Sequence, residues 1–186
     1  MNPSALECLL SRFSTGPKHL VDPGPNASQL ELMVQAGLRG PDHGELVPWR
    51  VVVIDGAAKV RMADLFVQHA QQKGKSPEAI EMERDRALRA PTTLAVIAQI
   101  DPAHPLVPAH EQWMCIGGAI TNMLNAAHAM GFGAKILSGD KTRSAFILQA
   151  FCQPGETLAG WITLGTPNKK PSTNKPKDWR RVLSPW

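Results

Sequence analysis

The sequence predicts a three-layer α+β protein built around one sheet, and three observations lead to this prediction. The chain has 186 residues, close to the roughly 150 that one domain occupies. Helix-like and strand-like segments alternate along it without an internal repeat. Hydrophobic residues make up 43% and charged residues 19%, near the values of globular domains, which excludes a wholly disordered or fibrous chain.

The first hundred residues predict four helices and two strands. Apolar residues at helical spacing indicate the helices, and continuous β-branched runs of strand length indicate strands that are buried on both faces. In order, we expect a helix over 4–11, a Gly/Pro-rich loop over 15–25, a helix that begins at Asn26 or Ser28 and ends near Leu38, a strand over 49–55, helices over 57–72 and 78–89, and a strand over 92–100.

The rest of the chain predicts a long central helix over 111–130, in which small residues at 117–119 would let another element approach closely. A short strand over 134–138, a helix over 142–151 capped by Thr142, and a strand over 158–164 follow. We therefore expect one domain over 1–166 and a basic C-terminal arm over 167–186. An arm of that length is disordered or is ordered by a partner.

Charge and composition exclude several classes of protein. The net charge of +4 comes largely from this tail, where Asp178 is the only acid among its basic residues, Lys169, Lys170, Lys175, Lys177, Arg180 and Arg181. Because aromatic residues are not interleaved with these cations, we expect no nucleic-acid partner. The apolar runs are too short for a membrane span. The three cysteines lack close metal-type spacing, which predicts reduced thiols and a cytoplasmic location.

Familiar nucleotide and metal motifs are missing from the sequence. No G-x-G-x-x-G follows a strand and no G-x-x-x-x-G-K-[ST] occurs, so Rossmann and P-loop sites find no support. His104, His110 and Glu111 are close together, but they do not form H-E-x-x-H and prolines flank them. We therefore predict no metal site.

Three clusters of residues can carry chemistry. Arg12, Phe13 and Ser14, followed by Lys18 and His19, end the first helix. An Arg fork and a Ser hydroxyl suit an anion such as a phosphate. The alternative is that Arg12 only neutralises the end of the helix dipole.

The second cluster is the loop from Arg39 to Trp49, which is dense in polar residues, Gly and Pro, as functional loops often are. Asp42 beside His43 is also explained by a simple Asx turn. The third cluster runs from Gly131 to Asp140, where glycines allow a flat ligand to approach and Ser138 can donate to it. A helix C-cap explains Gly131 equally well.

Taken in order, these clusters resemble the FMN-dependent nitroreductase family, specifically its short branch. The matching motifs cover nearly the whole chain: R-x-S after the first helix, A-G-x-R-x-P-D-H with P-W six residues after the Asp, R-A-P before a strand, E-x-x-x-x-x-G-x-A in the central helix, G-F-G-x-x-x-x-S-G, and L-G-T-P. The resemblance implies an α/β/α sandwich with a central mixed sheet and an interlocked homodimer whose arm packs on the partner subunit.

The resemblance also implies FMN at the subunit interface, with NADH or NADPH as electron donor. Arg12, Phe13 and Ser14 would hold the ribityl phosphate, Arg39 and His43 would reach the flavin from the other subunit, and Ile136, Leu137 and Ser138 would line the cofactor. Arg180 or Arg181 would add a phosphate contact. Since the flavin carries the chemistry, no catalytic side chain is expected, although His43 could supply a proton near neutral pH.

The implied activity is ping-pong hydride transfer from NAD(P)H to nitroaromatic or quinone-like acceptors. Three departures from the family pattern leave an alternative open. Phe13 replaces a cation, Val47 replaces a Gln, and the Arg that usually precedes Ser138 is missing, with Lys135 nearby. The alternative is a flavin-binding or flavin-consuming member of the same superfamily without nitroreductase turnover.

Overall fold

The structure is a computed structural model that describes residues 4–169 and 178–186. Its helices are α1 (Ala5–Ser11), α2 (Ala27–Gly37), α3 (Gly56–Gln72), α4 (Pro77–Arg89), α5 (Ala109–Ala129) and α6 (Ala145–Phe151). Its strands are β1 (Leu20–Val21), β2 (Trp49–Ile54), β3 (Thr92–Ala98), β4 (Gly133–Leu137) and β5 (Thr157–Pro167). Short 3-10 turns lie at Pro17–His19, His43–Glu45, Asp140–Arg143 and Trp179–Arg181.

Side-chain caps set the starts of three helices. Ser4 and Glu7 form a reciprocal capping box at α1, and Asn26 forms one with Gln29 at α2, where the sequence predicted a cap. Ser76 caps α4 by accepting from the backbone N–H of Ala79 at 3.3 Å. These local hydrogen bonds explain why the predicted boundaries of these helices agree with the structure.

The strands form one five-stranded sheet in which β5 is the hub. It pairs with β3, β4 and β1, while β2 pairs with β3 at one edge. All four of these pairings among the described residues are antiparallel. The α+β class is confirmed, but the mixed sheet implied by the resemblance is not what the described strands form.

The helical connections explain the antiparallel directions. Helices α3 and α4 form a hairpin that returns the chain to the end of the sheet where β2 stopped, so β3 runs back alongside β2. The single helix α5 carries the chain from β3 to β4, which therefore point the same way, and β5 lies between them antiparallel to both.

Two apolar clusters cover the two faces of the sheet and complete the three layers. Leu94 and Val96 of β3 pack with residues of α2 and α5 on one face. Ala95 and Ile97 alternate to the other face, against α3, α4 and α6. The α/β/α layering expected from the sequence is confirmed.

Several local predictions were wrong, and each has a structural reason. Strand β2 is an edge strand with Val53 exposed, whereas the inner strand β3 is buried throughout. Thr142 does not cap α6, because its hydroxyl donates to the carbonyl of Gly139 at 2.8 Å within a 3-10 turn. The predicted loop over 15–25 contains β1, which pairs with Thr166 and Pro167 and so extends β5 beyond the predicted end.

Candidate functional site

A cavity of about 470 Å³ opens between the sheet and the α3–α4 hairpin. This volume lies in the range of small-molecule and cofactor sites. Its wall is partly apolar and aromatic, contributed by Met62, Phe66, Ala87, Leu137 and Trp161. The turn at Gly16–Lys18 and the end of β4 at Leu137–Ser138 complete it. Elements far apart in sequence thus share one cavity.

Charged side chains surround the apolar part of this wall. Lys18, Arg86, Arg89 and Lys141 are its cations, and Glu83 is its single carboxylate. The Glu83 side chain is only 6% exposed. It accepts hydrogen bonds from Lys141 at 2.8 Å and Lys75 at 2.9 Å, and it pairs with Arg86 at 3.3 Å. We call Glu83 with Lys75, Arg86 and Lys141 the Glu83 cluster.

Glu83 is ionised in this environment. Burial on its own raises the pKa of the carboxyl, but the hydrogen bonds from Lys141 and Lys75 outweigh that effect and hold the pKa below its ordinary value. Three cations share one negative charge, so the Glu83 cluster carries a net positive charge.

The segment after β4 is held against α3 and α4 by consecutive residues. Asp140 bonds to the buried ring of His69 at 3.0 Å, and this bond lowers the pKa of Asp140. Lys141 reaches Glu83 and also lies 5.0 Å from the centre of the Phe66 ring. These contacts hold the segment that follows Leu137 and Ser138, so the end of β4 stays at the cavity.

Two buried polar atoms in residues of the cavity wall have no hydrogen-bond partner among the described residues. They are Oγ1 of Thr93 and Nε1 of Trp161. Because a buried donor without a partner is costly, these atoms favour a site that a polar ligand completes.

The Arg12–Phe13–Ser14 motif lies beside the C-terminal end of α5 and leads into the turn that lines the cavity. The Phe13 ring packs edge-on to His128 with centroids 6.2 Å apart. Burial, and then the charge of Arg12, lowers the pKa of His128. The N–H of Thr15 donates to the carbonyl of Ala134 at 3.0 Å, which ties the motif to β4. Residues 12–14 do not themselves line the cavity.

Arg39 and His43 lie near α5, on the opposite face of the sheet from the cavity. Arg39 lines a groove between α1, α2 and α5, together with Asn122 and Asn125. Nδ1 of His43 is 2.6 Å from Oε2 of Glu111 on α5, and the His43 side chain is 60% exposed. Neither residue reaches the cavity wall.

The loop that carries His43 has an unusual backbone. Gly44, Glu45 and Val47 all have positive φ, at 75°, 53° and 46°. For a β-branched residue such as Val47 this conformation is rare and strained. The loop is stabilised by Asp42, whose Oδ2 accepts from the backbone N–H of Val47 at 2.8 Å.

Cys115 is a buried core residue of α5. Burial, together with the nearby carboxylate of Asp42, raises the pKa of its thiol to about 11. At neutral pH it is protonated and unreactive.

Ile136 and Leu137 lie in β4, and Ser138 is the exposed residue just after it. Leu137 and Ser138, which the resemblance assigns to the cofactor, line the cavity, whereas Ile136 packs against the α5-side core. Gly160 of β5 faces this end of β4. A Cβ there would lie 2.5 Å from the carbonyl oxygen of Leu137, so only glycine fits.

The predicted C-terminal contacts stand apart from the cavity wall. Residues 170–177 of the arm, including Lys170, Lys175 and Lys177, lie outside the described residues. Arg180 and Arg181 are exposed, and Arg180 contacts Asp178 at 3.4 Å and the ring of Trp179 at 5.0 Å. Neither arginine is among the residues that line the cavity.

The described residues contain no group of three or more His, Cys, Asp or Glu that could hold a metal ion. His104 instead accepts from the backbone N–H of Val107 at 2.9 Å, and Glu111 bonds to His43. Among the helices of the described parts of the chain, none has the length and apolarity needed to cross a membrane.

Reasoning from the sequence missed the contribution of α4. Glu83 and Arg86 were assigned to a charged helix and not to a site. The available signal was that Glu83 falls four residues before Ala87, on the buried face of α4. A carboxylate at such a position requires partners.

Comparisons of the sequence with known proteins indicate one family. A model described as "Nitroreductase family" matches residues 10–166. The chain is 37% identical over 171 residues to "Putative NAD(P)H nitroreductase YdjA" of Escherichia coli strain K12, covering 91% of this chain and 92% of that protein.

Two solved structures share the fold. The nitroreductase-like family protein from Bacillus cereus superposes with a TM-score of 0.85 at 16% identity, covering 100% of this chain and 97% of that one. A "putative nitroreductase in complex with fmn" from Desulfovibrio desulfuricans has a TM-score of 0.76 at 20% identity, covering 100% and 99%.

Proposed function

The chain belongs to the nitroreductase family, and from this premise we propose that it is an FMN-dependent NAD(P)H oxidoreductase that reduces nitroaromatic or quinone-like acceptors. The E. coli relative is named for NAD(P)H nitroreductase activity, and the D. desulfuricans structure is described as an FMN complex. The family resemblance drawn from the ordered motifs is confirmed by the family match, while the acceptor and the mechanism stay proposals.

The observation that carries the proposal is the cavity that joins three regions predicted or found to matter: the turn after the R-x-S motif, the end of β4, and α4. The wall suits a flavin. The end of β4 offers contact to a flat ring, and Thr93 and Trp161 each leave a buried polar atom without a partner among the described residues.

We assign the following residues to FMN. Arg12 and Ser14 would hold the ribityl phosphate, supported by Phe13 against His128. Leu137 and Ser138 would contact the ring system, with Ile136 behind them in the core. Arg180 or Arg181 would add a cation to the phosphate. When bound, FMN accepts a hydride from NAD(P)H and passes two electrons to the acceptor.

The protein would then position the cofactor and the acceptor and set the electrostatic environment around them. The Glu83 cluster places positive charge at the cavity wall, where it stabilises negative charge that develops on a bound group. No pair of side chains is arranged as an acid–base dyad in this wall. His43, held by Glu111, remains the proposed proton donor, reaching the site from a second subunit.

A homodimer forms part of this proposal, because the face that carries Arg39 and His43 is rich in exposed apolar side chains. Leu10 of α1 is 78% exposed, Met114 of α5 is 71% exposed, and Trp113 of α5 is 42% exposed. Large apolar surfaces of this kind mark interaction sites. Burying them in a dimer would bring Arg39 and His43 of one subunit towards its partner.

The test begins with the purified protein. We expect a yellow protein with the visible spectrum of FMN, an elution volume of a dimer on a sizing column, and steady NADH or NADPH oxidation when a neutral quinone or nitroaromatic is added. A colourless protein that takes up no added FMN would contradict the proposal. A flavin-loaded protein without NAD(P)H turnover would favour the alternative of a flavin-binding or flavin-consuming member.

A cytoplasmic location stays a prediction from the sequence. The three cysteines are free thiols in the structure, in keeping with the reduced state that the sequence predicted.

A further inference from the structure

The cavity wall carries more positive charge than its own carboxylate can balance. Four of the five charged residues that line it are cations, namely Lys18, Arg86, Arg89 and Lys141. The fifth, Glu83, is shared with Lys75, which contacts it from outside the wall. The surplus lies around an apolar surface, which is the arrangement that recognises a ring bearing a negative group.

We propose that the electron acceptor of this cavity is an aromatic compound that carries a carboxylate or sulfonate, and that Arg86 is the residue that selects it. This inference rests on the proposed function and adds the substrate class. The geometry of the cations, and not their number alone, supports it.

Arg86 is the most available cation of the Glu83 cluster. Lys141 and Lys75 approach Glu83 at 2.8 and 2.9 Å, whereas Arg86 lies at 3.3 Å and its side chain is 58% exposed. The two lysines thus satisfy most of the Glu83 charge. The guanidinium retains free N–H groups in the fork geometry that a carboxylate or sulfonate accepts.

The other cations of the wall are less suited to this role. Lys141 is 19% exposed, since it is held between Glu83 and the Phe66 ring. Arg89 is less exposed than Arg86, at 43% against 58%, and its partner Asp85, 3.7 Å away and one turn earlier on α4, is not shared with the lysines of the Glu83 cluster. Lys18 has no carboxylate partner in the described ranges 4–169 and 178–186, but it presents a single ammonium from an exposed turn.

The apolar part of the wall accounts for the aromatic half of the acceptor. Phe66 and Trp161 pack edge to face with centroids 5.2 Å apart, and Met62 lies in the same wall. Aromatic and thioether side chains of this kind contact flat rings well. The acidic group would lie towards Arg86 while the ring lies on this surface.

The reaction balances without a further co-reactant. A nitroaromatic carboxylate takes two electrons from NAD(P)H and two protons, one of them carried in the hydride, to give the nitroso compound and one water, with NAD(P)⁺ as the other product. The carboxylate is unchanged. Its charge serves recognition only.

The experiment compares two acceptors that share a ring and differ in charge, 4-nitrobenzoate and 4-nitrobenzamide, with the FMN-loaded protein. We expect kcat/KM to favour 4-nitrobenzoate, and we expect Arg86→Gln to reduce this preference by up to about fivefold, the effect of one ion pair near the surface. Because the ratio is compared between proteins, the intrinsic reactivity of the two acceptors cancels.

Arg84→Gln is the matched control. It removes the same charge from the same helix, but Arg84 pairs with Asp64 at 2.6 Å and does not line the cavity. It should leave the preference unchanged. Lys18→Gln is a second variant at the wall and should lower the preference to a smaller extent.

A binding measurement separates recognition from turnover. Calorimetric titration with benzoate and with benzamide should show tighter binding of benzoate, weakened by Arg86→Gln and by added salt. A ratio of the two kcat/KM values that is unchanged in Arg86→Gln, or benzoate binding no tighter than benzamide binding in wild type, would overturn the inference while the oxidoreductase stands. Loss of FMN from Arg86→Gln would also overturn it, since Arg86 would then hold the cofactor. A wild-type protein without FMN or turnover would instead defeat the proposed function.

Discussion

Asp42 closes the loop that carries His43: its Oδ2 accepts the backbone N–H of Val47 at 2.8 Å, across five residues. The same carboxylate lies beside the buried thiol of Cys115 on α5. One side chain therefore links the loop to the central helix α5. It also stabilises a backbone in which Gly44, Glu45 and Val47 all have positive φ.

Removing this carboxylate should release the loop. We expect Asp42→Ala to lower the free energy of unfolding by about 1–2 kcal/mol, because the N–H of Val47 loses its partner, and to weaken FMN retention if the loop serves a partner subunit. Asp42→Asn keeps an acceptor oxygen and should recover part of both. Urea unfolding and a flavin titration measure the two effects.

The control is Asp55→Ala, since Asp55 precedes α3 but makes no side-chain cap hydrogen bond. It should change stability by less than about 0.5 kcal/mol. An Asp42→Ala protein as stable as the Asp55→Ala protein would show that the Val47 hydrogen bond contributes nothing.

Val47 stores strain that glycine should relieve. Its φ of 46° is disfavoured for a β-branched side chain, and the side chain is 40% exposed, so little packing is lost on truncation. We expect Val47→Gly to raise the free energy of unfolding by about 0.5–1 kcal/mol after the entropic cost of glycine.

Val53→Gly provides the comparison. Val53 has similar exposure, at 42%, but lies in β2 with ordinary strand backbone. The same substitution should destabilise there by about 1 kcal/mol. Thermal melts that show the same loss at both positions would mean that Val47 is not strained.

Glu156 makes stability depend on pH. Two hydrogen bonds from Arg50 lower the pKa of this carboxyl from 4.5 to about 2, and its side chain is only 6% exposed. Since the pKa is lowered on folding, the contribution is complete above pH 4.5 and is lost as the pH falls towards about 2. After allowance for the partly exposed Arg50, it amounts to about 2 kcal/mol at neutral pH.

We therefore expect Glu156→Gln to be about 2 kcal/mol less stable than wild type at pH 7, and the difference to shrink steadily between pH 4.5 and pH 2. Urea unfolding across this range provides the measurement. Glu81→Gln, at an exposed position on α4, should show no such trend. A difference that stays constant with pH would rule out the linkage to Arg50.

Arg12 should control FMN affinity. If its guanidinium holds the phosphate, Arg12→Gln should weaken FMN binding about tenfold or more, the loss expected for a charge-assisted hydrogen bond. Arg61→Gln removes the same charge from α3, beside a different hollow next to β2, and should leave the affinity unchanged. Equal FMN affinities for wild type and Arg12→Gln would favour the alternative, in which Arg12 only neutralises the end of the helix dipole.

Substitution of Arg180 and Arg181 tests the role of the C-terminal arm. We expect Arg180→Ala with Arg181→Ala to weaken FMN binding in a fluorescence titration, because the family resemblance assigns one of these cations to the phosphate. An unchanged dissociation constant together with a weaker dimer on a sizing column would show that the arm braces the subunits only.

Local chemistry explains why so much of the fold could be predicted. Some features act within a few residues of sequence, namely the caps at Asn26 and Ser76 and the β-branched runs of β2 and β3. The predicted bounds of these helices and strands therefore lie close to the observed ones. The two-residue strand β1 was missed, because only its pairing with Thr166 and Pro167 makes it a strand.

The candidate site likewise combines residues that the sequence indicated with residues that it did not. The family motif assigns Ile136, Leu137 and Ser138 to the cofactor, and two of them, Leu137 and Ser138, lie in the cavity wall. Glu83 and Arg86 were not predicted, because a charged helix in the sequence gives no sign of which face meets Lys75 and Lys141.

The sequence by itself determined the layers, the family and the order of the motifs, since apolar periodicity, caps and motif spacing are written in consecutive residues. The tertiary structure alone decided that the sheet pairs antiparallel, that Arg39 and His43 lie across it from the cavity, and that a buried carboxylate on α4 gathers three cations, two of them at the cavity wall. These features depend on contacts between residues distant in the chain, and such contacts exist only after the helices have packed on the sheet.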